Sequence, residues 1–324
     1  MGGLKAVLIA ATFLCVYPTA SLAVEGASLA GPIGGTDIGS GLPAQPGIYI
    51  GTVQLYARTM DFLNGSGKVN LELKDAQLAK VIGGPFFDFV PQTKIFGGSL
   101  SFSGVVPVLD AWGHLYTGTS NDRDVGVGDP YVEISWARYF GTPHPSHYAG
   151  ASPILEGLSV LLGFGIVVPA GQYSSSTALS RMLSPGTNIW DFAPTAAITY
   201  TTKPILFEGT EFSAKLYWNN YLDNPSTNYS TGDMLDVDFA ITEHIGRFQA
   251  GVTGFYAWQI EDDEMRGVVI LPDGAKAKIF ELGGVVAYDM PENASSVKLK
   301  AIASPFARNL PTPWHVVLGW IKKF

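Results

Sequence analysis

The residues able to do chemistry in this chain fall into a few sets. His144-Pro145-Ser146 is the one place where a histidine and a serine stand two apart. On a strand that spacing puts both side chains on one face, as a nucleophile and its base require. The segment is Pro-rich, however, and no partner Asn or Asp accompanies it, so a solvated connection is the expectation. His144 and His147 supply two ligands with no third, which falls short of a metal site. Glu261-Asp262-Asp263-Glu264 places four carboxylates together. They suit either a divalent cation at an outer rim, bridging lipopolysaccharide phosphates, or an acidic turn, and the turn is the expectation. No Gly-x-Ser-x-Gly, Walker or dinucleotide pattern occurs, so no enzyme activity, catalytic residue, cofactor or metal is expected.

More informative are charges set inside apolar segments: Glu133, Lys215, Asp236, Asp238, Glu281, Lys298 and Lys300. The segments that carry them alternate with period two. In 233–264, Leu235, Val237, Phe239 and Ile241 oppose Asp236, Asp238, Ala240 and Thr242. After Glu243-His244-Ile245-Gly246, a second arm sets Val252, Tyr256 and Trp258 against Gln249, Thr253, Phe255 and Gln259. Period two is the signature of a strand. Both arms reach the roughly 9–11 residues with which a tilted strand crosses a bilayer. A Lys at the lipid midplane would cost about 2–4 kcal/mol, so these polar residues belong on the inner face of a closed barrel. Glu133, Lys215, Asp236, Asp238, Gln249, Glu281, Lys298 and Lys300 are therefore the candidate lumen residues, acting as a paired structural network or as a wet path. Their mixed signs argue against a strongly ion-selective pore.

The bounds of the whole chain agree. Charged residues make up 15%, aromatics 12%, and there are 38 glycines, which suits a turn-rich β-protein with a large apolar exterior. Residues 1–23 read as a secretory signal, with Lys5, an apolar core and the small-x-small end Ser21-Leu22-Ala23. No later run of 18 apolar residues exists, so a membrane role requires a barrel. Cys15, the only cysteine, leaves with the signal; Leu14 before it argues against a lipid anchor. The remaining 19 basic and 28 acidic residues argue against a nucleic-acid partner, which demands a basic surface. Residues 24–47 are rich in Gly and Pro and read as a linker, a periplasmic extension or a plug. Residues 48–324 form the barrel domain.

The expected fold is all-β: a transmembrane antiparallel up-and-down barrel of about 12 strands. Its strands are 48–60, 70–84, 94–106, 131–140, 157–169, 188–201, 210–221, the two arms above, 278–288, 296–304 and 313–324. The second is the weakest, since 74–80 would tolerate a helix, and Pro194 predicts a bulge or weakened pairing in the sixth. Links 203–209, 243–246 and 290–294 are short; 108–127, 170–187 and 261–277 are long, as expected if both termini are periplasmic. The link 141–156 breaks that rule. The last strand, WHVVLGWIKKF, puts Trp314, Val316, Leu318 and Trp320 on one face and ends on Phe324. It resembles the terminal strand of bacterial outer-membrane proteins, in which a final aromatic is read by the barrel-assembly machinery; Trp320 and Phe324 are the candidate assembly signal. Lys322 departs from that pattern.

The runs VGVGDPYVEISW, GFGIVVPAGQY, NIWDFAPTAAITY, STGDMLDVDFAI and GRFQAGVTGFYAWQIEDDE, in this order, resemble the outer-membrane proteins of the meta-pathway phenol-degradation family, SphA-like transporter barrels. The resemblance covers 48–324. It implies a bacterial outer-membrane channel for passive uptake of small hydrophobic or aromatic compounds, linked to aromatic degradation. Its implied surroundings are outer-membrane lipid, lipopolysaccharide and a small hydrophobic solute. Trp112, Tyr116, Tyr173 and Tyr229, in the long links, are candidate capture residues for that solute. A structural or adhesive barrel and a lipid-modifying outer-membrane enzyme are the alternatives.

Overall fold

Alternation along each segment leaves every strand with one apolar and one polar face, and closure is the way to bury the second. The computed structural model describes residues 29, 36–116, 119–270 and 276–324. The signal 1–23 and most of the extension before residue 36 lie outside the described residues. The long strands are β1 (Gly47–Phe62), β2 (Gln77–Val90), β3 (Gly98–Val105), β4 (Val108–His114), β5 (Asp122–Val127), β6 (Tyr131–His144), β7 (Ile154–Val167), β8 (Asp191–Thr201), β9 (Thr210–Tyr221), β10 (Met234–Ile245), β11 (Phe248–Gln259), β12 (Lys278–Met290), β13 (Ser295–Arg308) and β14 (Pro311–Lys323). Each pairs antiparallel with its neighbour, and β14 returns to β1 from Tyr49↔Lys323 to Phe62↔Pro311. The ring so closed is a 12-strand barrel. The Phe324 N–H donates to Ile48 O at 2.7 Å, so residues 47 and 324 mark one end, the terminal end; the long connections crowd the other, the loop end.

The third and fourth staves of the barrel are each broken in two. β3 pairs with β6 on the terminal side, and β4 with β5 on the loop side. β2 serves both, through Phe86–Phe89 to β3 and Gln77–Gly83 to β4. The breaks fall at Val106-Pro107 and Gly128-Asp129-Pro130, where prolines cannot donate to a ladder. The expected polar loop over 108–127 is thus corrected to the hairpin β4–β5. Its apolar alternation is too short, and too close to the prolines, to be read alone. The expected second strand is likewise shifted to Gln77–Val90, with turns rather than a helix just before it. Pro85 lies inside it, at the level where β2 changes partner, so the ladder is interrupted there in any case. At Pro194 the β8–β9 register is kept, but pairing lapses between Tyr217↔Thr195 and Asn220↔Phe192: weakened pairing without a bulge. Strands β6 and β7 extend to His144 and Ile154, which shortens the link that had broken the length rule.

β5 has one strand partner, and its other side is covered by the connection 168–190. Gln172 N–H donates to Val127 O and Val168 N–H to Pro130 O, each at 2.9 Å. Asp129 clamps the two together: it accepts from Gly171 N–H (2.8 Å), Thr187 N–H (2.6 Å) and Thr187 Oγ1 (2.8 Å). A Cβ on Gly186 would stand 2.8 Å from Asp129 Oδ1, so the clamp needs glycine there. Within this connection lies a short helix, α1 (Ala178–Leu183), closed by a Thr177–Ser180 capping box. Its Leu179 and Met182 pack on Phe62, Leu73, Ala76 and Leu115.

The outside of the barrel is apolar. Ile50, Phe87, Ile134, Leu162, Ile198, Trp218, Ile241 and Leu318 are all exposed. Aromatics gather near the strand ends: Tyr56 with Trp314 (5.2 Å between ring centroids), Tyr256 with Trp258 (5.0 Å) and Phe248 with Tyr288 (4.7 Å). A belt of this kind on a closed sheet is what a bilayer accepts, because every strand is paired within the ring and only side chains face lipid. None of the described helices is long and apolar enough to cross a membrane.

Replacing Asp129 with Ala should strand the Gly171 and Thr187 donors. The expected cost is about 1–3 kcal/mol for the unpaired groups, seen as a lower denaturant midpoint with protease cleavage appearing within 168–187. An unchanged midpoint and cleavage pattern would refute the clamp.

Candidate functional site: the barrel interior

Inward positions of the strands carry the polar residues, and a segment of the chain's own start lies among them. Thr36 to Leu42 crosses the lumen towards the terminal end. Thr36 donates to Asp238 Oδ2 through N–H (3.2 Å) and Oγ1 (2.6 Å). Gly39 N–H reaches Glu211 Oε1 (2.8 Å), Ser40 N–H reaches Ser213 Oγ (3.0 Å) and Gly41 N–H reaches Thr199 Oγ1 (2.9 Å). Gly41 approaches the wall so closely that a Cβ would stand 2.8 Å from Thr199 N.

Asp37 is the anchor. It is fully buried. Lys298 Nζ lies 2.6 Å from Oδ1, Lys300 Nζ 3.2 Å from Oδ2, and Thr253 Oγ1 donates to Oδ2 at 2.6 Å. Burial alone would raise its pKa, but the two ammonium groups outweigh that and hold the carboxyl below the usual carboxylate range. A depressed carboxylate stabilises docking fully above its unfolded pKa, near 4, and that stability is lost only as pH falls through the folded value.

The eight candidate lumen residues all belong to strands of the barrel, and each is tied to a polar partner, Glu133 and Lys215 to one another. Lys215 Nζ lies 2.8 and 2.9 Å from the two oxygens of Glu133. Tyr131 donates to Glu133 Oε2 at 2.5 Å, and Lys215 sits 4.8 Å from the centroid of the Tyr217 ring. Asp236 accepts from Asn219 Nδ2 (2.6 Å), and Gln249 donates to Thr242 Oγ1 (2.8 Å). Asp238, Lys298 and Lys300 hold the segment at 36–37. Glu281 is set apart from these seven and faces a different space.

That space is a cavity of about 470 Å³. Its wall is mostly apolar: Val53, Leu55, Ile82, Leu109, Phe255, Ile279, Val317 and others, with Met182 and Leu183 of α1 on one side and Leu29 contributing from the chain's start. A void of ~150 Å³ lined by apolar groups already holds a benzene-sized molecule. Few ionisable groups interrupt this wall; Lys80, Glu281 and His315 are among them.

The aromatic capture candidates are not brought together, and none lines this cavity. Trp112 lies in β4 with its ring 6.5 Å from that of Tyr56; its neighbour Ala111 is the residue that faces the cavity. Tyr116 is exposed. Tyr173 accepts from Asn224 Nδ2 at 3.0 Å. Tyr229 is buried and donates to Asp263 Oδ2 at 2.5 Å. Asp263 also accepts from Gly232 N–H at 3.0 Å, so one member of the acidic quartet braces a loop. Ser146 Oγ donates to Glu208 at 2.8 Å, and His144 lies 4.0 Å from Glu156; the two are not paired. Phe324 and Trp320 are exposed at the end of the closing strand.

Sequence reasoning missed His315 and Lys80. For His315 a signal existed: it occupies the phase opposite Trp314, Val316 and Leu318, where it must point inward. Lys80 was hidden by the misplaced second strand.

Comparison with known proteins agrees with this architecture. A family model described as "Putative MetA-pathway of phenol degradation" matches residues 59–309. The fold is similar to that of an outer-membrane channel from Pseudomonas putida F1, with a TM-score of 0.71 and 15% identity over 89% of this chain and 99% of that one. The TodX monoaromatic hydrocarbon channel, as a deletion mutant, gives a TM-score of 0.41 at 9% identity, covering 87% of this chain and 91% of that one. None of the curated proteins matches the sequence significantly.

Asp37→Ala should undock the internal segment, because it leaves Lys298 and Lys300 without their shared carboxylate. Breaking a buried pair of this kind costs about 3–5 kcal/mol, and ionic conductance of the refolded protein should rise several-fold. Wild-type conductance, by contrast, should not change between about pH 7 and pH 5, since the depressed carboxylate stays charged there. Opening of the wild type over that range would contradict the anchor assigned to Asp37.

Proposed function

Because the chain belongs to this phenol-degradation family, we propose that it is an outer-membrane channel for passive uptake of small hydrophobic or aromatic compounds, serving their degradation. The observation that carries the reading is the apolar cavity of about 470 Å³ inside a membrane barrel. A general porin needs a continuous wet lumen. Here the lumen is crossed by Thr36 to Leu42 and its charges are largely paired, while the free volume is lined by hydrocarbon. Such a space favours solutes that leave water readily, and movement down a gradient needs no energy source.

The finer parts of the proposal follow from the same frame. The exposed outer belt lies against outer-membrane lipid, with lipopolysaccharide at the loop end. Trp320 and Phe324 serve as the signal for barrel assembly. The described part of the extension, Thr36 to Leu42, acts as a plug, held by Asp37 and by the backbone donors of Gly39 and Gly41. Glu133, Lys215, Asp236 and Asp238 act as a structural network that shapes the lumen around it.

Single-channel recording of the refolded mature protein in a planar bilayer tests the proposal. Small or absent ionic steps are expected from the wild type, together with uptake of a monoaromatic solute into protein-loaded vesicles above the rate of protein-free ones. Large, steady steps without solute selectivity would replace this reading with that of a general porin.

A further inference from the structure

Within the apolar cavity, two buried polar groups are hydrogen-bonded to each other, and the Lys80 ammonium acts on Glu281 electrostatically from the same wall. Glu281 Oε1 lies 3.1 Å from His315 Nε2. Both residues are at most 2% exposed, and both line the cavity. Glu281 Oε2 and His315 Nδ1 meet no hydrogen-bond partner in the protein. A buried polar atom left unpaired costs about 1–3 kcal/mol, and such atoms in native structures call for an explanation. The local backbone is irregular at the same place. The β12–β13 register slips between Phe280 and Leu282, opposite Ser304-Pro305, and Ser304 Oγ donates to Phe280 O at 3.1 Å. The extra residue of this bulge lies in β13, where Ser304 and Pro305 together oppose Glu281, while Glu281 keeps its pairing with Phe255 of β11.

The bond between the two groups defines the chemistry left free. With His315 Nε2–H donated to Oε1, the second carboxylate oxygen, Oε2, remains an acceptor. The cavity therefore offers hydrocarbon walls and a free carboxylate acceptor. We propose that it is a binding site for a small aromatic molecule bearing a hydrogen-bond donor, a phenolic hydroxyl or an amine, whose donor sits on Glu281 Oε2. This deepens the channel reading and rests on it: Glu281 becomes a specificity-determining residue, positioned by His315 through its other oxygen. A molecule of the same size that only accepts hydrogen bonds, such as an aryl ether, fills the walls but leaves Oε2 unpaired.

Calorimetric titration of the full-length refolded barrel in detergent, against empty micelles, tests this with phenol and anisole. Phenol is expected to bind at least tenfold more tightly than anisole. Glu281→Leu should bring phenol down to the affinity of anisole and leave anisole unchanged. Glu281→Gln keeps the bond to His315 with its amide oxygen and turns an N–H into the cavity, which should also remove the preference for phenol and covers the case in which the Leu variant fails to fold. Equal binding of phenol and anisole by the wild type would overturn the inference while leaving the channel reading intact, as would a preference that survives in either variant. Absence of binding by both solutes, with no uptake of either into vesicles, would overturn the channel reading as well.

Discussion

Everything in this fold follows from one requirement: in hydrocarbon, each backbone N–H and C=O must find its partner within the protein. None of the described helices can cross a membrane, and the described strands meet the requirement by closing a sheet. Closure sets a strand count that returns β14 to β1, and alternation then sorts side chains without further choice. Apolar residues such as Leu162, Ile198 and Leu318 must face lipid. Their neighbours must face each other across a narrow interior.

That interior is where the energetics become demanding. Charges placed there have lost most of their water, so each must be compensated. Glu133 with Lys215, and Asp37 with Lys298 and Lys300, satisfy this by direct pairing. The second arrangement has a consequence for function, because one partner belongs to a segment before the first strand. The barrel wall holds two ammonium groups that share a carboxylate when the chain's own start is docked. Docking of Thr36 to Leu42 thus goes together with pairing of these wall charges.

Towards the loop end the requirement is met in a different way. The broken staves β3/β4 and β5/β6 leave the edge of β5 without a strand neighbour, and the 168–190 connection supplies backbone partners through the Asp129 clamp. This arrangement brings Met182 and Leu183 over a space that a regular barrel would leave to water. The result is a mostly apolar cavity with the Glu281–His315 pair set in its wall. Closed below by paired charges and covered on one side by a folded connection, the interior suits a molecule that is mostly hydrocarbon.

The sequence by itself determined the barrel, its strand number and the alternation that gives its strands two faces. These are consequences of period two, and periodicity is a local property that survives in a string of letters. The hairpin from Leu235 to Trp258 shows it most clearly. What escaped were features that depend on partners distant along the chain. Pro85 and Pro107 are tolerated because two neighbouring staves are interrupted at the same level. Trp112 read as a loop residue, although it belongs to a strand carried past that break. Asp37 was one acid in a Gly-rich stretch until two lysines more than 250 residues away converged on it. The Glu281–His315 pair spans an intervening strand, β13. Only tertiary structure could decide these, because register, bulges and ion pairs across the lumen are set by which strands meet, and not by how any one of them alternates.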